Sequence, residues 1–456
     1  MPPFWPLMVR LLHDCRGGVA MTVGLVAFVL AALLGLAIDG TRGYTAKSRL
    51  QGAVDAAALA GGKAYSQQDD DAAATARMFF DSNFPDGYMG GEVASFDATV
   101  DPITENMTVE AEANIPTTFM QIFGIDRLSI SSQATVATAH TDLELAVVVD
   151  VTGSMNWTDG SGAVKIDSLK AAGLTLLQSI YGDQSSLPGV WISLVPYRAA
   201  VNIGQRPGWL RNYDPSDFQP DSWRGCVLAR AAPRDQNDNP PELLQDRFFP
   251  YFWPSGTAWN SWPPVVFDNS GPNWFCPVNE VTPLTDQRST IEAGINALDA
   301  RSGGGTQTSV GLAWGWRTIS PRWRGLWQGE TPADLPYDYD TPDLIKAVVF
   351  MTDGIADIGW ELMAHGFLSD GNLGTTNEAA AEAEINTRLS TICDAMKAEG
   401  IQIFSVMFAV TDPAIEATYR DCASAPDYFF NSPTGDELEV AFRQIGRHLA
   451  SLRLAR

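Results

Sequence analysis

An uncharged run from Gly17 to Ile38 constrains this chain more than any other feature of its sequence. As a helix, a run of this length can cross about 30 Å of hydrocarbon. A cleaved signal peptide is the alternative, because Gly35-Leu36-Ala37 is an acceptable small-residue cleavage site. The run is longer than the apolar core of about 7–15 residues that signal peptides carry. We therefore predict an uncleaved transmembrane helix at residues 17–38.

The orientation of this helix follows from the cysteines rather than from the basic residues. Lysine and arginine flank the run on both sides, so the positive-inside rule does not decide. Four of the five cysteines follow the run and Cys15 precedes it, so an outward-facing C-terminal part carries an even number of cysteines. We predict a single-pass protein with residues 1–16 in the cytoplasm and the bulk of the chain outside it.

The net charge argues against nucleic-acid binding, and the cysteine spacing argues against a zinc site. The net charge is −24, from 30 Lys+Arg against 54 Asp+Glu among 456 residues, and such a field repels nucleic-acid phosphates. No cysteine pair has C-x-x-C spacing and the chain has 4 histidines, which disfavours a zinc site. The four C-terminal cysteines either form two disulfides in an oxidising compartment or remain as buried thiols.

The remaining sequence divides into two parts with different patterns. Residues 39–140 combine an alanine-rich helical segment at 44–64 with segments that alternate apolar and polar residues, which predicts a small membrane-proximal α+β unit. From residue 141, near-continuous apolar strands alternate with helical segments up to the closing helix at 435–453. This alternation predicts an α/β fold with a doubly wound, mostly parallel sheet.

Two loop-rich segments, residues 198–281 and the shorter 320–342, interrupt this alternation. The first is too long for a plain connection, so we predict a loop-rich subdomain in which Cys226–Cys276 is the natural disulfide. Within it, Asp235-Gln236-Asn237-Asp238-Asn239 resembles the start of a calcium loop, but Pro240 stands where glycine is needed, so we predict a solvated turn. The segment also holds six tryptophans: Trp209, Trp223, Trp253, Trp259, Trp262 and Trp274.

Oxygen-bearing side chains follow several of the predicted strands. Asp150 and Asp353 end two valine-rich strands, Thr152 and Ser154 lie in the turn after Asp150, and Thr306 follows a glycine run. The carboxyl ends of parallel strands share one edge of a sheet, which predicts that these groups meet. Carboxylate and hydroxyl oxygens suit Mg²⁺ (or Mn²⁺), and with two carboxylates the ion would keep one exchangeable position. The alternative is that these residues are turn and helix-cap residues.

These residues resemble the metal-binding motif of the von Willebrand factor A family. Asp150-x-Thr152-x-Ser154 matches its Asp-x-Ser-x-Ser pattern with threonine for the first serine, which keeps the hydroxyl, and Thr306 and Asp353 match its isolated threonine and its Thr-Asp-Gly strand end. The resemblance implies a von Willebrand factor A-type domain over residues 141–456, with the insertion 198–281. It also implies that a metal ion-dependent adhesion site holds magnesium.

The N-terminal sequence carries a second resemblance, to TadG-like proteins of the tight-adherence (Flp) pilus assembly machinery of bacteria. The residues that carry it are Arg16-Gly17-Gly18 through Ile38-Asp39 and the segment Leu50-Gln51-Gly52-Ala53-Val54-Asp55-Ala56-Ala57-Ala58-Leu59-Ala60-Gly61. The resemblance covers about residues 1–65 and 141–456, and it includes the tryptophan-rich insertion more loosely. The sequences around Cys393 and Cys422 are similar to that family's closing segment, whose cysteines are expected to pair. The resemblance implies a bacterial inner-membrane protein whose periplasmic domain binds a partner through a metal.

Three functions are compatible with these features. The first is a non-enzymatic, membrane-anchored pilus assembly factor that binds a protein partner, such as a pilus subunit or a secretion-channel component. The second is a metal-dependent adhesion or sensing receptor unrelated to pili. A metal-dependent hydrolase is the weakest, because no general base accompanies the ligands. Since the insertion leaves the sheet at the metal edge, we also expect its exposed tryptophans to lie beside the ion and to anchor the partner. The alternative is that half of its tryptophans form the insertion's own small core.

Overall fold

The computed structural model of the chain forms two compact units, Met1–Ala139 and His140–Arg456. The residues that the structure describes are 18–66, 71–101, 106–137, 141–211, 213–218, 223–251, 273, 275–301, 305–327, 329–354, 356–358, 362–410 and 412–454. The predicted cytoplasmic residues 1–16, Cys15, and the tryptophans at 253, 259, 262 and 274 lie outside this set.

The first unit is built on one long helix, α1 (Gly18–Ser66). The apolar segment and the alanine-rich segment, which the sequence suggests as separate helices, form one continuous helix, because no proline lies between them. Among the described residues, α1 alone has the length and composition to cross a membrane, with a mean hydropathy of 2.6 over its apolar window. Only 6% of that window is buried within the protein, which fits a membrane anchor.

The second half of α1 forms the core of the first unit. Helix α2 (Ala72–Asn83) and an antiparallel sheet pack against it, and the sheet consists of β1 (Glu92–Val100), β2 (Asn106–Pro116) and β3 (Arg127–Ala137) in that order. The buried residues of α1 recur at helical spacing, as Leu50, Ala53, Val54 and Ala57 show. Small residues on this face let the sheet and α2 approach the helix closely.

The second unit contains the predicted doubly wound sheet. Its strands are β4 (Asp142–Asp150), β5 (Val190–Tyr197), β6 (Val201–Asn202), β7 (Cys226–Val227), β8 (Thr282–Thr285), β9 (Leu344–Thr352), β12 (Gln402–Phe408) and β13 (Phe429–Ser432), and a separate hairpin pairs β10 (Leu362–Met363) with β11 (Gly366–Phe367). The order is β13-β12-β9-β4-β5-β6-β7, with β8 beside β5. The four pairings that join the five strands from β13 to β5 are all parallel, so the predicted fold class is confirmed.

Helices cover both faces of this sheet. One face carries α3 (Lys165–Tyr181), α4 (Arg288–Ala297) and α8 (Gly435–Leu454); the other carries α5 (Thr308–Ile319), α6 (Glu378–Ala398) and α7 (Pro413–Cys422). Strand β4 shows why its sequence is continuously apolar: Val147 and Val149 pack on the first face, and Ala146 and Val148 pack on the second.

The insertion is more closely integrated than the sequence suggests. It adds β6 and β7 to the sheet, and Trp209 and Trp223 are buried in the same core as α5. The Trp209 ring lies 5.2 Å from Trp323 and 4.9 Å from Trp327, between ring centroids, and both partners belong to the shorter loop-rich segment. The two described tryptophans of the insertion, Trp209 and Trp223, are therefore core residues and do not supply exposed anchors.

Both expected disulfides are present. Cys226 pairs with Cys276 inside the insertion, at a Cα–Cα distance of 5.7 Å. Cys393 of α6 pairs with Cys422 at the end of α7, at 5.2 Å.

The supposed calcium loop is a buried polar network, so the prediction of a solvated turn is wrong. Asp235 accepts hydrogen bonds from Arg388 Nη1 at 2.6 Å and lies 3.4 Å from His365 Nε2. Asp238 accepts hydrogen bonds from the hydroxyls of Ser320 and Tyr339 at 2.6 and 2.9 Å. These partners come from distant parts of the chain and hold the insertion against the rest of the second unit.

Candidate metal centre

Two carboxylates meet at the carboxyl edge of the sheet in the second unit. Asp150 is the last residue of β4, and Asp353 directly follows β9, its parallel neighbour. Both residues are buried, although charged residues are rarely buried without partners. The strands are apolar because helices cover them on both faces, whereas their ends leave the core and can carry polar groups.

Hydrogen bonds join four of the five predicted ligands. The Thr152 backbone N–H donates to Asp150 Oδ1 at 2.8 Å, and the Ser154 hydroxyl donates to Asp353 Oδ1 at 2.7 Å. The Thr152 and Ser154 hydroxyls are 3.0 Å apart. A further hydroxyl, that of Thr352, donates to Asp150 Oδ2 at 3.0 Å. The structure thus brings Asp150, Thr152, Ser154 and Asp353 into one contiguous set of oxygen atoms.

Thr306 lies at the same edge through its backbone. Its N–H donates to the Asp357 carbonyl at 2.8 Å, and the Asp357 N–H donates back at 3.2 Å. A Cβ added to Gly305 would lie 1.9 Å from the Asp357 carbonyl oxygen, so this close approach requires glycine. Among the described residues, the Thr306 hydroxyl makes no hydrogen bond to the other four predicted ligands. The glycines at 303 and 304 lie outside the described residues.

A buried lysine, which the sequence analysis did not identify, faces the carboxylates. Lys165 Nζ lies 3.0 Å from Asp353 Oδ2, and the two side chains are 8% and 0% exposed. Lys165 is the first residue of α3, where the helix dipole disfavours a positive charge, so Asp353 must compensate for its position. A lysine at the start of a helix usually reaches solvent, and nothing in the local sequence distinguishes this one.

Two buried carboxylates lie close enough at this site to oppose each other's ionisation. Burial, and to a smaller extent the neighbouring Asp353 carboxylate, raises the pKa of Asp150 to about 7. Lys165 is bonded to Asp353, and the charge of the buried Arg198 guanidinium also acts on Asp150. A pKa raised by burial and a like charge means that added positive charge would stabilise the ionised form. The donor set therefore fits a hard divalent cation.

Three additional carboxylates lie near this edge of the sheet. Carboxylate oxygens of Asp357, Glu378 and Glu382 lie within 4.8 Å of one another. Burial, followed by the charges of Asp357 and Glu378, raises the pKa of Glu382. Asp357 is the backbone partner of Thr306, so this cluster adds to the negative potential around the predicted ligands.

One large apolar side chain is exposed beside the site. Trp157, three residues after Ser154, is 67% exposed, and its backbone N–H donates to the Ser154 carbonyl at 2.9 Å. Its own carbonyl accepts from the Lys165 N–H at 3.0 Å. The turn that carries Thr152 and Ser154 therefore also presents a tryptophan to solvent. The sequence instead favours the insertion as the source of exposed tryptophans beside the ion.

Comparison with known families supports the second resemblance at the N-terminus. Residues 17–69 match the family model described as "Putative Flp pilus-assembly TadE/G-like", which confirms the predicted resemblance for that segment. The match covers the whole of α1 and does not extend to the unit that carries the carboxylates. No curated protein sequence matches the chain significantly.

Solved structures that resemble the chain do so weakly. The pilus adhesin SpaC from Lactobacillus rhamnosus GG has a TM-score of 0.37 at 10% identity, and the overlap covers 80% of this chain and 35% of SpaC. The vWF domain of the type V pili tip protein Mfa5 from Porphyromonas gingivalis has a TM-score of 0.38 at 11% identity, covering 70% of this chain and 97% of that domain. The PilB minor pilin from Streptococcus sanguinis has a TM-score of 0.36 at 11% identity, covering 80% and 79%. This chain thus spans about a third of SpaC, and likeness at this level does not establish a shared function.

Proposed function

We propose that this chain is a non-enzymatic pilus assembly factor, anchored in the bacterial inner membrane, that captures a protein partner through a divalent metal ion. The bulk of the chain would lie in the periplasm, where its two disulfides are stable. One observation carries the metal-binding part of the proposal: Asp150 and Asp353 are buried together at one sheet edge with Lys165 as the only cation bonded to them among the described residues. The family match at residues 17–69 supports the pilus role.

Asp150, Thr152, Ser154, Thr306 and Asp353 would hold Mg²⁺ (or Mn²⁺) in a von Willebrand factor A-type metal ion-dependent adhesion site. Oxygen ligands with only two carboxylates leave such an ion Lewis-acidic, with room for a carboxylate from another protein. The chain's own contribution is to hold its oxygen atoms in place before the ion arrives. The Thr152 N–H and the Thr352 hydroxyl orient Asp150, and the Ser154 hydroxyl orients Asp353.

The groups around the carboxylates favour binding over hydrolysis. The side chains that are bonded to Asp150 and Asp353 are hydroxyls and one lysine, and no described histidine is among them. His365 is bonded to Gln307 and Asp235 instead, and burial lowers its pKa. A hydrolytic mechanism needs a general base positioned at the metal-bound water. We therefore assign no catalytic residues.

The exposed Trp157 would supply the apolar part of the partner contact. An aromatic side chain at the centre of an interface can contribute about 2 kcal/mol or more to binding. Trp157 lies on the same turn as Ser154, so a partner that offers a carboxylate to the ion would also reach this ring. The partner would be a pilus subunit or a secretion-channel component that presents an acidic side chain beside an apolar pocket.

Calorimetric titration of the full chain with Mg²⁺ and Mn²⁺ tests the metal site. We expect the wild type to bind one ion and Asp150→Ala to bind none, with the fold retained by circular dichroism. Asp167→Ala is the matched control, because Asp167 is an exposed carboxylate in the first turn of α3. Equal binding by wild type and Asp150→Ala would show that the ligands are misassigned.

A complementation experiment tests the partner and the pilus role. In cells that lack this protein, the wild type should restore surface pili and Asp353→Ala should not. Trp157→Ala should weaken capture of the partner while leaving Mg²⁺ binding unchanged, because its side chain is not among the ligands. Undiminished partner capture by both point variants would refute binding through this edge.

A second candidate is a metal-dependent adhesion or sensing receptor unrelated to pili. It is favoured by the extent of the family match, which ends at residue 69, before the metal-bearing unit begins. Normal pili in cells that lack the protein, together with loss of metal-dependent attachment to a surface, would identify this function. Neighbouring genes for a pilin, a secretion ATPase and a secretin would instead favour the first.

A further inference from the structure

The turn between β2 and β3, residues 117–125, exposes four large apolar side chains. Phe119, Ile122, Phe123 and Ile125 are all solvent-accessible in the isolated chain, with Ile122 at 71%. No residue from 117 to 125 carries a charge. An exposed apolar patch of this kind marks a surface that is covered by another phase or molecule.

This turn lies along the apolar part of α1. The Phe123 and Phe28 rings meet edge to face, with 5.5 Å between their centroids. A Cβ added to Gly35 would lie 2.7 Å from the Phe119 Cβ, so the turn packs directly on the helix backbone at that point. Phe28 precedes Ile38, the last residue of the uncharged run, by ten residues, or about 15 Å of helix. The turn therefore extends along the segment that would lie in hydrocarbon.

Asp39 of α1 holds the start of the turn. Its carboxylate accepts hydrogen bonds from the backbone N–H groups of Thr118, Phe119 and Met120, at 2.9, 2.8 and 2.8 Å. Asp39 is itself buried, which is unusual for a carboxylate at the end of an apolar helical segment. The first charged residue after the uncharged run thus acts as a tie between the helix and the turn.

The rest of the turn also satisfies its backbone internally. The N–H groups of Ile122, Gly124 and Ile125 donate to the carbonyls of Phe119, Gln121 and Met120, at 3.2, 3.0 and 3.2 Å. The Thr117 hydroxyl donates to the Ile125 carbonyl at 2.5 Å. Together with the bonds to Asp39 and the Thr117 N–H, which donates to the Asp126 carbonyl at 3.0 Å, seven backbone donors in this short turn have partners within the protein. A loop in water does not need this, because water can pair with its N–H groups, but a loop in lipid does.

We propose that residues 117–125 are a second membrane-inserted element, which enters the lipid beside α1 and is tied to it by Asp39. Lipid is favoured over a protein occupant because the turn is continuous with the exposed apolar side chains of α1 at the level of Phe28. Two contacts with the bilayer would fix the rotation of α1 about its own axis and hold β1–β3 against the membrane surface. The inference rests on α1 being the membrane anchor and is independent of the metal site.

Depth-dependent fluorescence quenching tests this proposal. In the full chain with Cys15→Ser, an environment-sensitive fluorophore is attached to Ile122→Cys, Leu25→Cys or Thr99→Cys, and each protein is reconstituted into phosphatidylethanolamine–phosphatidylglycerol vesicles. Leu25 lies in the apolar part of α1, and Thr99 is exposed on β1, opposite Thr108 and far from the turn. Lipids brominated in the middle of their acyl chains should quench the Ile122 label as strongly as the Leu25 label and leave the Thr99 label unquenched.

Each other outcome overturns the proposal. A water-like, unquenched label at Ile122 beside a quenched one at Leu25 would place the turn in solvent. A blue-shifted but unquenched label at Ile122 would place it against protein, such as a second copy of the chain. An unquenched label at Leu25 would remove the premise that α1 is in the membrane.

The role of Asp39 has a separate test. Asp39→Ala should reduce quenching of the Ile122 label without changing that of the Leu25 label, because three backbone N–H groups of the turn lose their acceptor while the helix remains apolar. Asp55→Ala is the matched control, since Asp55 is an exposed carboxylate of the same helix. If Asp39→Ala leaves the Ile122 label fully quenched, Asp39 does not hold the turn in the lipid.

Discussion

Replacing Lys165 with methionine should tighten Mg²⁺ binding, because the lysine ammonium and the ion compete for the same carboxylate. Lys165 Nζ lies 3.0 Å from Asp353 Oδ2, and both groups are buried. A hydrogen bond between charged groups contributes about 1.5–3 kcal/mol net, so removing the competitor should lower the Kd for Mg²⁺ by about 10- to 150-fold. Methionine has a similar length and no charge, so the packing around α3 is largely preserved.

Without metal, the same substitution should act in the opposite direction. Asp353 would then be buried beside Asp150 with no positive charge, which should reduce the free energy of unfolding in EDTA by about 1–3 kcal/mol. Excess Mg²⁺ should recover more than this loss, because tighter binding raises the stability of the folded state. The variant should therefore be less stable than wild type in EDTA and gain more from Mg²⁺.

Isothermal titration calorimetry and urea unfolding, each with and without Mg²⁺, measure these two effects. Lys170→Met is the matched control, because Lys170 lies in the same helix, is not fully buried and has no ion pair among the described residues. Unchanged or weaker Mg²⁺ affinity in Lys165→Met would refute the competition, and would mean that the lysine positions Asp353 for the ion instead.

Two further predictions concern the surroundings of the site. Although burial opposes ionisation, the His365 hydrogen bond and the Arg388 charge lower the pKa of Asp235 from 3.8 to about 2. The difference corresponds to about 2.4 kcal/mol of stability that is present above pH ~4 and lost as the pH falls through ~2. Asp235→Asn should therefore destabilise the protein at neutral pH and flatten the dependence of unfolding on pH in acid, and an unchanged slope in urea titrations would contradict this. Gly305→Ala should separate the Thr306–Asp357 backbone pair, because the new Cβ meets the Asp357 carbonyl, and should weaken Mg²⁺ binding by about 10- to 100-fold. Gly160→Ala, where a Cβ meets nothing within 4 Å, is its control, and equal calorimetric affinities for the two variants would count against the assignment of Thr306.

Periodicity predicted the elements of the second unit because burial imposes it directly. Strands covered on both faces must be apolar throughout, so β4 and β9 were recognisable, as was the amphipathic helix α8. The positions of Asp150, Thr152, Ser154 and Asp353 followed as well, because parallel strands bring their carboxyl ends to one edge whatever the side chains are. These inferences need only short segments and the rules of sheet geometry.

The surroundings of these ligands were not predictable in the same way. Lys165 and Asp353 are separated by 188 residues, and nothing in either neighbourhood indicates the other. Asp235 and Asp238 resemble residues of a solvated turn, yet they are buried because Arg388, Ser320 and Tyr339 come from distant segments to pair with them. Composition alone also could not separate buried tryptophans from exposed ones: Trp209 is buried in the core, whereas Trp157, outside the insertion, reaches solvent.

The sequence by itself determined the uncharged helical run, the doubly wound order of strands and helices, and the oxygen-bearing residues at the strand ends, because each depends on local spacing. Tertiary structure decided which charges neutralise those carboxylates, which tryptophans are accessible, and that Asp39 pairs with a turn about 80 residues away. The physical reason is that burial, ion pairing and close backbone approach depend on which distant segments share a volume. Short-range periodicity carries no information about that.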